Sequence, residues 1–170
     1  MLSLLPAVFC AGLITSSLPV SNADLLESPY RHVRTTNARV QQLLAIGVSR
    51  SPTFASLLAI LNASDVIVYI EQTDEMPKTL EGRLLLMPLA NHQRYLRIQI
   101  TRNGTPTDLI ALIGHELRHA IEVADAADVR DEPALERLYQ RIGTRSAALH
   151  SYDTDAAQTT GRRVRKELLA

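Results

Sequence analysis

Two histidines and a glutamate stand close together in the segment His115-Glu116-Leu117-Arg118-His119. On a helix, a spacing of four residues places both imidazoles on one face, about 6 Å apart along the axis. Two nitrogens so placed can bind one metal ion at roughly 2.0–2.1 Å each. Glu116 is rotated by about 100° from His115, so its carboxylate lies beside the metal and can reach a metal-bound water. The segment therefore predicts a metal site in which Glu116 acts as the base.

The alternative interpretation is a helix with two packed or exposed histidines and an unrelated glutamate. The apolar positions of this helix form one core face, made by Leu109, Leu112, Ile113, Ala120 and Val123. Glu116 lies on or beside that face, where burying a carboxylate costs free energy unless it pairs with a cation or a hydrogen-bond donor. The position of Glu116 therefore favours the metal site.

The cysteine content limits the ligands that such a site can use. Cys10 is the only cysteine, and it lies in an apolar segment that we expect to be removed. A thiol nucleophile and a thiolate metal site are then excluded, so the ligands must be histidines and carboxylates. The formal net charge is +0, whereas proteins that bind nucleic acid usually carry a basic surplus. We therefore expect no nucleic-acid partner.

The apolar segment, residues 1–23, carries no charged side chain and ends in Ser21-Asn22-Ala23. Such a run is typical of a signal peptide cleaved after Ala23, although the usual basic start is missing and an uncleaved anchor is the alternative. No other stretch is long and apolar enough to span a bilayer. We expect an exported protein, periplasmic or extracellular, without stable membrane insertion after cleavage. Residues 24–170 would form a single domain.

The elements that must position the metal site follow from periodicity and end signals. Apolar residues at helical spacing predict helices over 37–46, 51–61, 107–126, 131–142 and 152–168. β-Branched or alternating runs predict strands over 65–70, 82–87 and 94–101, after a polar lead-in over 24–36. Helices, then strands, then helices indicate an α+β fold with a small antiparallel three-stranded sheet packed against helices.

The helix around Gly114-His115-Glu116-Leu-Arg-His119-Ala-Ile-Glu122, placed after three strands, resembles the active-site helix of the zincin metallopeptidases. It is most similar to the gluzincin branch, and the size and element order are similar to the compact bacterial minigluzincins. The resemblance is specific over 107–126, extends over roughly 50–165 and does not cover the first fifty residues. It implies a zincin-like fold, a Zn²⁺ ion with water in its fourth position, and a peptide or protein substrate. It also implies that the substrate binds along a sheet edge, at strand 82–87 or 94–101.

Gluzincins take a third ligand from a later helix, usually a glutamate in a Glu-x-x-Ala context, and the comparable residue here is Asp153. On a helix over 152–168, Asp153 shares an inward stripe with Ala157, Thr160, Val164 and Leu168. Asp155 instead shares a solvated face with Gln158, Arg162 and Lys166. Asp153 is therefore the predicted third ligand, and the alternative role is that of a first-turn acid stabilised by the helix dipole.

Other residues near the predicted site have more than one interpretation. Glu122 lies too far along the helix to share the metal, so it is either a partner of a ligand or a surface charge. His150 is a further ligand, an oxyanion donor or neither, and the hydroxyls of Tyr139 and Tyr152 either serve an oxyanion or only pack. Residues 24–50 are a candidate cover for the cleft. Two other functions remain open: a catalytically silent metal-binding domain, and a metal-free helical interaction protein.

Overall fold

The structure, a computed structural model, describes residues 30–77, 80–89, 93–145 and 152–170. The predicted signal peptide, Cys10 and His150 lie outside these residues. The strands are β1 (Val33–Arg34), β2 (Val66–Thr73), β3 (Gly82–Leu86), β4 (Arg94–Thr101), β5 (Thr144–Arg145) and β6 (Tyr152–Asp153). The helices are α1 (Ala38–Arg50), α2 (Pro52–Asn62), α3 (Pro106–Asp125), α4 (Glu132–Ile142) and α5 (Asp155–Leu169).

The main sheet has four strands in the order β1-β2-β4-β3. β2 pairs in parallel with both β1 and β4, and only β3 is antiparallel to its neighbour. The α+β class is thus confirmed, but the predicted antiparallel three-stranded sheet is wrong. Because β4 lies between β2 and β3, it has no free edge, and the strand 94–101 cannot accept an added strand. β3 is the edge strand beside the helical layer.

Short polar side chains fix where the helices begin. The Asn37, Ser51, Thr105, Asp131 and Thr154 side chains each accept a hydrogen bond from a backbone N–H of the first turn that follows. Such caps satisfy N–H groups that have no partner inside the helix, at about 1 kcal/mol each. Proline follows the cap closely in α2, α3 and α4, where its missing N–H costs nothing.

One face of the sheet packs against the central helix α3. The inward side chains of β2 and β4 are fully buried, and α3 presents apolar side chains to the same core: Val66, Val68, Ile70, Leu96, Ile98, Ile100, Leu109, Ile113, Leu117 and Ala120. Each such large aliphatic side chain contributes about 1.5–3 kcal/mol by leaving water. The helix that carries His115 and His119 is therefore the best-anchored element of the fold.

Arg94 fixes the far end of α3 to the sheet. Its side chain is 1% exposed and forms a bidentate ion pair with Asp65, at 2.6 and 2.9 Å. The same guanidinium donates to the carbonyl oxygens of Val123, Ala124 and Ala126 at 2.7–3.0 Å. These carbonyls lie at the end of α3, where Val123 and Ala126 also accept from the backbone N–H groups of Ala126 and Val129. A cation at this end also opposes the helix dipole. Arg94 thereby holds β2, β4 and α3 in one arrangement.

Glycines allow α3 and α5 to approach closely. A Cβ atom on Gly114 of α3 would lie 3.0 Å from Val164 Cγ2, and one on Gly161 of α5 would lie 3.2 Å from His115 Cβ. Each contact is tighter than ordinary van der Waals contact, so the helices pack backbone to side chain at both places. This close packing sets the distance between the histidines of α3 and the residues that lead into α5.

The N-terminal part of the described chain belongs to the core. Val33 of β1 and Val40, Leu43 and Leu44 of α1 are at most 3% exposed. Residues 30–50 are therefore an integral part of the fold, and they are not a separable cover for the cleft. Among the described residues, no single helix is long and apolar enough to cross a membrane. α1 and α2 together reach the length and composition, but the chain bends by 111° between them.

Candidate metal centre

His115 and His119 project from the same face of α3, one turn apart. Their Nε2 atoms are 3.2 Å apart, and their rings are edge to face with centroids 4.8 Å apart. His119 is 7% exposed and His115 is 22% exposed, so the pair lies at the border between the core and the surface. Both Nε2 atoms point to one common position beside the helix, as the four-residue spacing predicts.

Asp153 brings a carboxylate to the same position from another part of the chain. Its Oδ1 atom lies 3.4 Å from Nε2 of His115 and 3.6 Å from Nε2 of His119. The backbone N–H of Thr154 donates to Oδ1 at 2.7 Å, and the Gln158 side chain donates to Oδ2 at 3.0 Å. These two donors hold the carboxylate with Oδ1 towards the histidines.

The helix predicted over 152–168 begins later in the structure, so Asp153 is not part of it. The last helix begins at Asp155, not at residue 152, and Asp153 lies in β6 before the Thr154 cap. Its direction is set by pairing between β5 and β6, in which Thr144 pairs with Asp153, and by the donors on its two oxygens. The inward stripe of the helix itself is present, since Ala157, Val164 and Leu168 are buried. Asp155 is exposed and is not part of the group of ligand atoms that converge.

The three candidate ligand atoms fit a tetrahedral metal ion. They form an almost equilateral triangle with sides of 3.2, 3.4 and 3.6 Å. Tetrahedral ligands at a bond length of about 2.05 Å lie about 3.4 Å apart. A point roughly 2.1 Å from all three atoms therefore lies just outside their plane, and its fourth direction is away from the triangle. His115, His119 and Asp153 form a group that could hold a metal ion.

Glu116 is enclosed between α3 and β3. It is 4% exposed, and its Oε1 atom lies against Gly82, the first residue of β3. Burial raises the pKa of Glu116 to about 7; the charge of His119 acts to lower it, and that of Asp153 acts to raise it. A carboxyl group with a pKa near neutrality can both take and return a proton at neutral pH.

Glu122 is the residue whose role the sequence left open, and the structure places it behind His119. Its Oε2 atom lies 2.9 Å from His119 Nδ1, and its Oε1 accepts a hydrogen bond from the Thr154 hydroxyl at 2.7 Å. Glu122 is 7% exposed, so it is not a surface charge. A carboxylate on Nδ1 directs Nε2 towards the shared position and increases its basicity. The spacing of three residues from His119 is the signal that could have indicated this contact.

Burial and neighbouring charges shift the pKa values of the three candidate ligands in different directions. Burial lowers the pKa of His119, but the carboxylates of Asp153, Glu122 and Glu116 outweigh it and raise the pKa to about 9. The pKa of His115 is lowered by burial and by the charge of His119. Burial acts to raise the pKa of Asp153, yet its interaction with His119, the hydrogen bond from Gln158 and the charge of His115 hold the pKa at about 2.

Negative charge exceeds positive charge in this cluster. Glu116, Glu122 and Asp153 are three carboxyl groups around two imidazoles, and the only arginine within 4 Å of any of them, among the described residues, is Arg118 at 3.8 Å from Glu122. Buried carboxylates are normally answered by cations or coordinate a metal. The electrostatic balance of the site therefore favours a divalent cation at the position that the three ligand atoms share.

The two tyrosines near the site both make packing contacts. Tyr139 stands edge to face with His119, with ring centroids 5.4 Å apart, and its hydroxyl donates to the His119 carbonyl oxygen at 3.4 Å. Tyr152 is half-buried in β6 and packs against the core. Of the two interpretations of these tyrosines, packing agrees with the structure.

Comparison of the chain with protein-family models, with curated proteins and with solved structures found no match. The function is therefore inferred from the chemistry of the site.

Proposed function

We propose that the protein is a zinc-dependent hydrolase, and specifically an exported metallopeptidase. The observation that carries this proposal is the triangle of His115 Nε2, His119 Nε2 and Asp153 Oδ1, together with the buried carboxylate of Glu116, the residue that follows His115 on the same helix. Two imidazoles and one carboxylate, with one open direction, are the donor set of catalytic zinc sites in many hydrolases.

The residues divide the work of hydrolysis between them. His115, His119 and Asp153 would hold the ion, and Glu122 keeps the His119 ring in the orientation that presents Nε2. When bound, zinc supplies a Lewis acid that lowers the pKa of water and polarises a carbonyl group. Glu116 takes the proton from the attacking water at its carboxylate and then passes it to the leaving amine. The enclosure of Glu116 against β3 keeps bulk water away from this carboxylate.

The sheet offers a place for an extended substrate. β3 pairs on one side with β4, and no strand pairs with its other side among the residues that the structure describes. Unpaired backbone groups at such an edge can bind a peptide by strand addition. Gly82, the first residue of β3, lies against Glu116, so a peptide added to this edge would pass close to the proposed base. A peptide substrate is favoured over a small ester or amide for this reason.

The first test is elemental analysis of the chain purified without residues 1–23. We expect about one zinc per chain, whereas bound iron would instead indicate an oxygenase type of site with the same donors. If the purified chain holds no metal and takes up none when zinc is added, the proposal is refuted. A metal-free helical interaction protein would then be favoured.

The second test replaces the proposed base. Glu116→Gln keeps the size of the side chain but cannot accept the proton, so it should retain zinc and lose most cleavage of a labelled casein probe. His115→Ala and His119→Ala should instead lower the affinity for zinc. Zinc binding by the unmodified chain without any hydrolysis would identify a catalytically silent metal-binding domain.

A further inference from the structure

Gly82 stands where β3 meets the carboxylate of Glu116. A Cβ atom on Gly82 would lie 2.5 Å from Glu116 Oε1 and 3.0 Å from Leu112 Cδ1. Side-chain atoms are essentially never found at the first of these distances, so a side chain here would have to displace Glu116. The first position of the edge strand is thus shaped around the proposed base.

The backbone gives no reason for glycine at this position. Among the glycines of the described chain, only Gly104 has a positive φ, so the conformation of Gly82 is one that any residue can adopt. Gly82 is also paired within the sheet, opposite Ile100. Glycine weakens a strand because its backbone loses more freedom on folding than that of any other residue. Alanine would therefore be the better strand residue if the space were free.

We propose that Gly82 is a positioning residue for Glu116: by having no side chain, it leaves the space in which the carboxylate is held beside the metal position. The catalytic role of this position rests on the proposed function. The steric coupling between Gly82 and Glu116 does not depend on the proposed function. Glu116 is enclosed on its other sides, since it is 4% exposed. A methyl group on residue 82 would therefore push the carboxylate out of its place, while the histidines of the metal site stay where they are.

A double-mutant cycle on thermal unfolding tests the steric coupling. Gly82→Ala should lower the Tm by roughly 2–4 °C in the unmodified chain and in Glu116→Gln, because the clash is present in both. In the Glu116→Ala background the space is free, and Gly82→Ala should leave the Tm unchanged or raise it. An equal loss in all three backgrounds would show that residue 82 matters for β3 or Leu112 alone, and it would overturn the inference.

Two further measurements on the same variants test the positioning role. Gly82→Ala should keep its zinc content and its affinity for zinc within about twofold, because the side-chain atoms nearest to a Cβ at Gly82 belong to Glu116 and Leu112 and not to the three candidate ligands. Its kcat on labelled casein should fall at least about tenfold with little change in KM, since a carboxylate misplaced by about 1 Å is a poor base. Unchanged kcat in Gly82→Ala would overturn the inference. Failure of the unmodified chain to cleave casein would overturn the proposed function. The double-mutant cycle on thermal unfolding would still test the steric coupling between Gly82 and Glu116.

Discussion

Replacement of Glu122 tests how strongly the residues behind His119 support metal binding. The carboxylate contacts His119 Nδ1 at 2.9 Å and the Thr154 hydroxyl at 2.7 Å, and it is 7% exposed. In Glu122→Ala, the buried N–H of His119 loses its partner. In the metal-free protein the imidazole ring can turn to find another acceptor, but a bound ion would fix the ring and prevent this.

The expected loss follows from that difference between the two states. A buried donor without a partner costs about 1–3 kcal/mol, and here the cost falls on the metal-bound state. This corresponds to a loss of zinc affinity of roughly 5- to 150-fold, in the range found when the partner of a ligand is removed. Glu122→Gln keeps an oxygen for Nδ1–H and loses only the charge. Its affinity should fall between those of the unmodified chain and Glu122→Ala.

The assay is competition for zinc against a chromophoric chelator at fixed pH. Glu132→Gln is the matched control, because Glu132 is an exposed glutamate in the first turn of α4, and its zinc affinity should change by less than about twofold. If Glu122→Ala binds zinc as tightly as the control does, the hydrogen bond to His119 does not support the metal site. The assignment of His119 Nε2 as a ligand would then need another explanation.

Three other predictions concern the third ligand, the helix contact and the response to acid. Asp153→Ala should weaken zinc binding strongly, and Asp155→Ala should change it little, because only Asp153 directs an oxygen to both histidines; equal losses in the same competition assay would refute this. Gly161→Ala should raise helix propensity by about 1 kcal/mol, yet it should lower zinc affinity, because its Cβ would press on His115 and move α5; tighter zinc binding would count against the helix contact. The hydrogen bond and charge of Arg94 hold the pKa of Asp65 below its ordinary value of 3.8. The ion pair therefore stabilises the chain fully above that ordinary value, and the stabilisation is lost as the pH falls through the lowered pKa. Urea unfolding of metal-free protein between about pH 5 and pH 2.5 should show this loss, and Asp65→Asn should show a smaller one.

The helices could be predicted because their signals are local. Ser51 before Pro52, and Thr105 before Pro106, cap helices within a residue or two of where the apolar periodicity begins. The signal for the two candidate histidine ligands of α3 is equally local, since the spacing of His115 and His119 is enough to place both rings together. Helix starts and the placement of two side chains on one helix face depend only on residues within a single turn of one another.

The sheet could not be predicted in the same way, because pairing joins residues that are distant in the chain. Alternation in Arg94–Thr101 shows which side chains face the core, but it does not show which strand lies on each side. The nearly continuous apolar run Val66–Ile70 carried a usable signal, since interior strands with parallel neighbours often read this way. β1, β5 and β6 have two residues each, which is too short for any period.

The environment of the candidate ligands also depended on distant contacts. A helical stripe predicts Asp153 as the third ligand, but in the structure its carboxylate is oriented by the Thr154 N–H and the Gln158 side chain. Gly82 of β3 lies against Glu116 of α3, although α3 begins more than twenty residues after Gly82 in the chain. No spacing rule within one element connects such residues, so only the folded chain shows them together.

The position of Asp153 has a consequence for the lifetime of the protein. An ion held by His119 and Asp153 ties two points of the backbone together, and everything from residue 120 to residue 152, including α4, becomes a closed loop. Cys10 is the only cysteine, so the chain cannot form an internal disulfide for this purpose. A metal cross-link restricts the unfolded chain much as a disulfide does, and it can be removed by a chelator. Withdrawal of such an ion would then open this loop and make the whole chain easier to unfold, so the lifetime of the protein would depend on the supply of metal around it.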